Sequence, residues 1–520
     1  MSQIESQQPS AQEYLRKILT APVYDVAKNT DLNFMPALSK RLGHDVWLKR
    51  EDQQPVKSFK LRGAYNKIAN LSQAAKQRGV ITASAGNHAQ GVALSANKMQ
   101  VKATIVMPET TPDIKVDAVR RFGGDWVDVI LIGRSFDVAS GHAQSLAKEH
   151  GYTYVPPFDD ADVIAGQGTI AKELFDSKRD LDMVFVAVGG GGLAAGIAVY
   201  LKQLKPNIKI IAVESDESAC LQKAMQSGQR EPLDRVGIFA DGVAVKIIGE
   251  EPFRLCQQYV DEVITVSSDE ICAAIKDTFD DTRAIAEPAG AISVAGIKKW
   301  LSQNTPQQKM QLGAILCGAN INFHTLRYVS ERSELGEKKE AIIAATIPEQ
   351  KGAFKHFCEV LGGRTITEFN YRYAPTKNAH IYVGLKLKDR ETELKQVANE
   401  LEKNQINWFD LSDNEVAKLH VRHMVGGRSA NLNNERIFSF DFPEYPGALM
   451  SFLSTLGTRW NITLFHYRNH SAASGMVLAG FDVPDNQIND LLAHLDQIGY
   501  RYNDETDNPA YAFFLKADSE

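Results

Sequence analysis

Met183-Val184-Phe185-Val186-Ala187-Val188-Gly189-Gly190-Gly191-Gly192-Leu193 decides the fold class. Six apolar residues without polar alternation read as a strand buried on both faces, which points to a parallel sheet. Four glycines then turn the chain into a helical stretch, Ala194 to Leu204. The same strand, turn and helix theme recurs outward from this point, between about Val46 and His324. Val80 to Ser84 leads through Gly86 into an Ala-rich helix, and Lys102 to Met107 is a strand closed by Pro108. Ile208 to Val213 and Gly313 to Cys317 are two more. Apolar strands alternating with helices predict an α/β domain whose sheet is covered by helices.

Beyond it the texture changes. Glu331 to Glu340 is dense in charge and is expected to act as a linker. An internal repeat follows. Ile347-Pro348-Glu349-Gln350-Lys351-Gly352-Ala353-Phe354 matches Phe442-Pro443-Glu444-Tyr445-Pro446-Gly447-Ala448-Leu449. Each leads through a helix into a strand, Ile366 to Arg372 or Ile462 to Arg468. The offset is 95 residues at the first Pro and 96 at the Tyr-Arg, so one residue separates the two spacings. Two like α+β modules in series are expected. The boundaries read 1–330, a linker at 331–341, a first module at 342–416 and a second at 437–515. A duplicated module without a ligand is one reading. The other is that the free N–H groups after Pro-Glu-x-x-Gly hold a small carboxylate.

Composition narrows the function. The 520 residues exceed one ordinary domain, and 44% hydrophobic with 23% charged residues fits a globular chain. Lys and Arg total 58 against 64 Asp and Glu, a net charge of −6 that gives no reason to expect nucleic acid or an anionic membrane. No apolar run reaches the roughly 18–20 residues needed to span a bilayer. Met1 to Glu13 has no apolar h-region, so neither a signal nor a transit peptide is expected. Five cysteines, none in CxxC spacing, suit a reducing cytoplasm and offer no zinc site.

Three segments could carry chemistry. Lys49 to Ala64 reads, taken alone, as a solvated charged face. Within it, Ser58-Phe59-Lys60 could instead hold an amine against apolar surface, lowering its pKa and making it a nucleophile. Lys57 is a rival for the role. Ser84-Ala85-Gly86-Asn87-His88-Ala89-Gln90-Gly91 lies where a strand gives way to a helix. Its N–H groups suit a carboxylate, while an ordinary Asn N-cap is the plainer reading. Gly189 to Leu193 offers unhindered amides at a helix start, a phosphate cradle. Gly190-x-Gly192-x-x-Ala195 also meets the relaxed dinucleotide fingerprint, with Glu214 ending the next strand. One phosphate cradle, one lysine and one Asn-bearing turn together describe pyridoxal 5′-phosphate better than a nicotinamide.

Those three segments with Cys317-Gly318-Ala319-Asn320 resemble the fold type II pyridoxal-phosphate enzymes, in the two open parallel-sheet subdomains of the tryptophan synthase β kind. Within them the chain, from about Tyr14 to Leu515, resembles the biosynthetic threonine dehydratases, whose C-terminal regulatory domain is ACT-like and doubled. The resemblance implies that Lys60 bonds the cofactor covalently and later moves the substrate proton, with Phe59 beside the ring. It gives Asn87 to the phenolic oxygen, Gly189, Gly190, Gly191, Gly192 and Leu193 to the phosphate, and Cys317 to the pyridine nitrogen. Ser84, Ala85, Gly86, Asn87 and His88 would receive the substrate carboxylate. Ala85 stands where serine racemases of this fold carry a second Ser, which favours dehydration over racemisation. Cys220 stands where their divalent-metal site has a carboxylate, so no divalent ion is expected, while a monovalent one stays open. The implied reaction takes L-threonine, and secondarily L-serine, to a 2-oxo acid and ammonia. The implied effectors are isoleucine and valine, and the implied assembly is a homotetramer. A β-replacement enzyme of the same fold, such as a cysteine synthase, and a non-catalytic amino-acid sensor are the alternatives.

Overall fold

Val184, Phe185 and Val186 are fully buried, and the strand carrying them lies inside a sheet rather than at its edge. A computed structural model of the chain describes residues 8–515 except 374–376, 420, 425, 427–428, 430–431, 433, 444–447, 457–458, 470–473, 510 and 512–514. The chain divides into two compact units, Met1–Ser333 and Glu334–Glu520.

Ten strands form the first unit: β1 (Leu32–Phe34), β2 (Asp45–Arg50), β3 (Val80–Ala83), β4 (Ala103–Met107), β5 (Val127–Leu131), β6 (Thr153–Tyr154), β7 (Met183–Ala187), β8 (Lys209–Ser215), β9 (Glu262–Val266) and β10 (Gln311–Leu316). They make two sheets, ordered β1-β2-β10-β7-β8-β9 and β5-β4-β3-β6. Every pair is parallel except β1 with β2. All five residues of β7 are buried, so both its faces are covered, and helices Gly192–Leu204 and Pro288–Gln303 pack on it. Burying each such aliphatic side chain stabilises the sheet by roughly 1.5–3 kcal/mol. Parallel strands send their C-terminal ends the same way, and ligands bind open α/β sheets beyond those ends. Ser84 follows β3, Gly189 lies just beyond β7, and Cys317 follows β10.

Among the described residues the second unit has eight strands: β11 (Glu340–Pro348), β12 (Ile366–Arg372), β13 (Asn378–Lys386), β14 (Asn407–Asp410), β15 (Glu435–Pro443), β16 (Asn461–Asn469), β17 (Ser474–Asp482) and β18 (Tyr502–Asp504). The repeats supply four strands each, and antiparallel pairing of β12 with β16 merges them into one sheet, β14-β11-β13-β12-β16-β17-β15-β18. Their shared core includes Phe354, Phe357, Phe369, Phe452 and Phe465. The duplication is also written in polar groups. Thr367 donates to Glu340, and Thr463 Oγ1 donates to Glu435 Oε1 at 2.5 Å, the same pair one repeat later. Arg422, just past the first repeat, pairs with its Glu368, while Arg372 of the first repeat pairs with Glu435 of the second.

The stretch expected as a linker, 331–341, differs from that reading. Helix Phe323–Gly336 runs through most of it, and β11 begins at Glu340. Part of its charge is held rather than solvated: Arg332 is 4% exposed and its Nε lies 2.8 Å from Asp269 Oδ1. The turn Glu444–Gly447, read as the second repeat's carboxylate-holding turn, falls outside the described residues.

Candidate active site

Helix Lys60–Ala69 begins at the lysine singled out in Ser58-Phe59-Lys60. Ser58 bridges to Gly318, and the Phe59 amide donates to the Cys317 carbonyl at 3.1 Å, so the end of β10 fixes where that helix starts. Lys60 Nζ lies 5.3 Å from the Phe59 ring centroid and donates to the Pro157 carbonyl at 3.0 Å. Desolvation lowers its pKa to about 8, against the pull of Cys317 and Glu287. Lys57, the rival, is exposed with φ 58°.

The charged face expected around Lys60 is instead interior. Lys49, Glu51 and Arg62 are fully buried, and Arg62 reaches two carboxylates at once. Its Nε and Nη2 donate to Glu51 at 2.8 Å each, and its Nη1 donates to Glu173 Oε1 at 2.6 Å. Lys49 Nζ lies 2.6 Å from Glu173 Oε2. Burial works against the Arg62 charge, yet the two carboxylates hold it firmly protonated. Sequence composition cannot distinguish such a network from a wet surface.

After β3, Gly86 and not Asn87 occupies the N-cap of helix Asn87–Met99. The Asn87 side chain is therefore free of capping. Its Nδ2 donates to Glu287 Oε1 at 2.6 Å, and its Oδ1 accepts from Asn320 Nδ2 at 2.6 Å. Ser84, Ala85 and Gly86 are half-buried around the turn. The His88 ring is buried, with Nε2 2.9 Å from the Val155 carbonyl. A carbonyl only accepts, which assigns the ring proton to Nε2. Desolvation and then Lys60 push its pKa down to about 3, so the side chain is neutral and packs away from base chemistry.

Gly191 has φ 89°, in the left-handed region, and helix Gly192–Leu204 follows. A Cβ at Gly190 would stand 2.1 Å from the Phe158 ring and one at Gly189 2.9 Å from Val243 Cα. The neighbours thus press on the loop, and only glycine fits there. The first-turn N–H groups of the helix have no intrahelical acceptor. Glu214 cannot serve a dinucleotide ribose: its carboxylate accepts from Leu221 N at 2.8 Å and Gln222 N at 2.7 Å, and burial raises its pKa to about 7. Cys317 is buried just past β10, and desolvation pushes its thiol up, so it stays neutral.

Sequence reasoning missed Glu287, and gave Asn320 no role. Glu287 precedes Pro288 at the start of helix Pro288–Gln303, a recognisable helix entry. Nothing local could signal its pairing with Asn87. The site as built, a desolvated lysine, a phosphate cradle, an amide donor and a neutral thiol, fits pyridoxal phosphate. A loop that admits only glycine, set at the start of a helix, is the observation that carries the fit.

Residues 23–318 match the family described as pyridoxal-phosphate dependent enzyme, and residues 331–421 and 426–515 match the C-terminal regulatory domain of threonine dehydratase. Biosynthetic L-threonine dehydratase of Salmonella typhimurium is 56% identical, covering 99% of this chain and 99% of its own. Mitochondrial threonine dehydratase of Saccharomyces cerevisiae is 50% identical over 98% of this chain and 91% of its own. Among solved structures, the processed form of threonine deaminase isoform 2 from Solanum lycopersicum aligns with a TM-score of 0.61 at 48% identity, covering 62% of this chain and 93% of that one.

Proposed function

This chain belongs to the pyridoxal-phosphate-dependent threonine dehydratases, and we propose that Lys60, Asn87, Gly189–Leu193 and Cys317 are the residues through which it converts L-threonine to 2-oxobutanoate and ammonia. Neither a β-replacement synthase nor a silent sensor is favoured by the relatives. Bound here, pyridoxal phosphate supplies an aldehyde that captures the substrate amine and a ring that takes up electrons as the α C–H bond breaks.

The chain's own groups do the rest. Lys60, with its pKa near 8, is partly unprotonated at neutral pH, so its Nζ would hold the cofactor and, when free of it, would accept the α-proton. Backbone amides at the start of helix Asn87–Met99 hold the substrate carboxylate, and those of Gly189–Leu193 hold the phosphate. Asn87 would donate to the phenolic oxygen. Cys317, held neutral, would share no full proton with the pyridine nitrogen, which would temper the ring as an electron sink and favour loss of the β-hydroxyl. The depressed Lys60, hydrogen-bonded to Pro157 one residue before the Phe158 that packs on Gly190, is the observation that carries this reading. Replacing Lys60 with Ala should abolish both the visible absorbance of the holoenzyme and 2-oxo-acid release. Retained turnover would sink it.

In the second unit a cleft is lined by Glu349, Phe354 and Tyr371 of the first repeat and by Leu453, Trp460 and Ile462 of the second. Tyr371 donates to Glu349 Oε1 at 2.7 Å, and the cleft sets this carboxylate and Lys355 beside apolar walls, which suits a zwitterion with a branched side chain such as isoleucine. Isoleucine as inhibitor, with valine opposing it in a homotetramer, is the regulation that fits a threonine dehydratase regulatory domain. Such control requires isoleucine to bind two states unequally. A chain ending at Gly336 should retain threonine turnover and lose isoleucine sensitivity. Among the described residues no helix is long and apolar enough to cross a membrane, and work in the cytoplasm is the setting we assign.

A further inference from the structure

We propose that Glu287 and Asn320 are positioning residues that turn Asn87 into an obligate hydrogen-bond donor toward the cofactor. The proposal rests on the reading of Asn87 given above and adds how its orientation is set.

A side-chain amide can present either its oxygen or its NH2, and a half-turn exchanges the two. At Asn87 the surrounding bonds permit one arrangement. The series begins at the Val56 carbonyl, which can only accept. Asn320 Nδ2 donates to it at 2.8 Å, and its second hydrogen goes to Asn87 Oδ1 at 2.6 Å. The Asn87 oxygen is thereby occupied, and its Nδ2 must face the other way. There it meets Glu287 Oε1 at 2.6 Å, an acceptor. One N–H of Asn87 is left, while its oxygen is turned toward Asn320. The backbone holds the far end in register: Glu287 N donates to Gly318 O at 3.1 Å, and a Cβ on Gly318 would stand 2.2 Å from Glu287 Oε1. Glycine at 318 is thus required for the carboxylate to reach Asn87. Asn87 opens the helix that follows β3 in the four-stranded sheet, whereas Glu287 and Asn320 belong to the elements around β10 in the six-stranded sheet. The same bonds therefore join the two halves of the site.

An N–H aimed at the anionic phenolic oxygen draws off its negative charge, so the lysine-linked nitrogen beside it holds its proton less tightly. A freely turning Asn87 would lose part of that effect. The test is a pH titration of the visible absorbance of full-length holoenzyme. Asn87→Ala should raise the inflection by about one pH unit, the size of one charge-assisted hydrogen bond. Glu287→Ala and Asn320→Ala should raise it by a large part of that amount, and neither should raise it further in the Asn87→Ala background. Glu287→Gln, whose amide oxygen can still accept, should return the inflection toward that of the parent. Where an Ala variant fails to fold, Asn320→Ser and Gly318→Ala give the same readout. An unmoved inflection in the Glu287 and Asn320 variants, or an equal shift without Asn87, overturns the proposal. An unmoved inflection in Asn87→Ala alone instead overturns the reading of Asn87 on which it rests.

Discussion

A lysine amine attacks an aldehyde only after losing its proton, and at Lys60 the fold arranges that loss. Desolvation brings its pKa from the usual 10.5 to about 8. Cofactor-depleted protein should therefore recover its visible absorbance faster as pH rises, with an inflection near 8. A stopped-flow rate that keeps climbing toward pH 10 would show an ordinary exposed amine. The sequence made this residue legible, since an aromatic beside a lysine ahead of an apolar helix is a local signal. It did not reveal Glu287, whose partners Asn87 and Asn320 are near neither it nor each other in the chain. Nor did it separate Asn87 from an N-cap, because the two uses differ only in where one side chain turns.

At the scale of elements, helix Lys60–Ala69 carries the nucleophile at its first residue and a buried cation two residues on. Removing one partner of such a network strands the others: Glu173→Gln should destabilise the protein by about 3–5 kcal/mol in urea unfolding. The charged letters of Lys49 to Ala64 were plain, but their burial was not, because an interior ion network and a solvated face have the same composition. The loop after β7 makes the complementary case. Gly190→Ala should force the Phe158 ring aside, weakening cofactor retention in equilibrium dialysis and costing about 1–3 kcal/mol of stability. Here the reading was close: strand and glycine run were visible, and the unbroken apolar pattern correctly announced a strand covered on both faces.

Over the whole molecule, three of the buried glutamates among the described residues are raised far above their ordinary range. Burial raises Glu214, Glu287 and Glu340 each to about 7, above the 4.5 of an unperturbed glutamate. The folded chain thus holds protons that the unfolded chain would release between about pH 4.5 and 7, so stability falls as pH rises through that window. The unfolding temperature should drop by several degrees from pH 5.5 to pH 7.5, and a flat profile would contradict the assignment. The repeat itself was legible from Pro-Glu-x-x-Gly, since duplication preserves spacing. The merger of the repeats through β12 and β16 was not, for neither copy encodes its neighbour. That merger has a further consequence at the sheet's margins. The nine-residue strands β11 and β15 are each flanked on the outside by a short one, β14 of four residues and β18 of three. A long bare border would be a template for stacking chain upon chain into fibres; stunted outer strands deny it that footing, so an open sheet can survive at high concentration in a crowded cell.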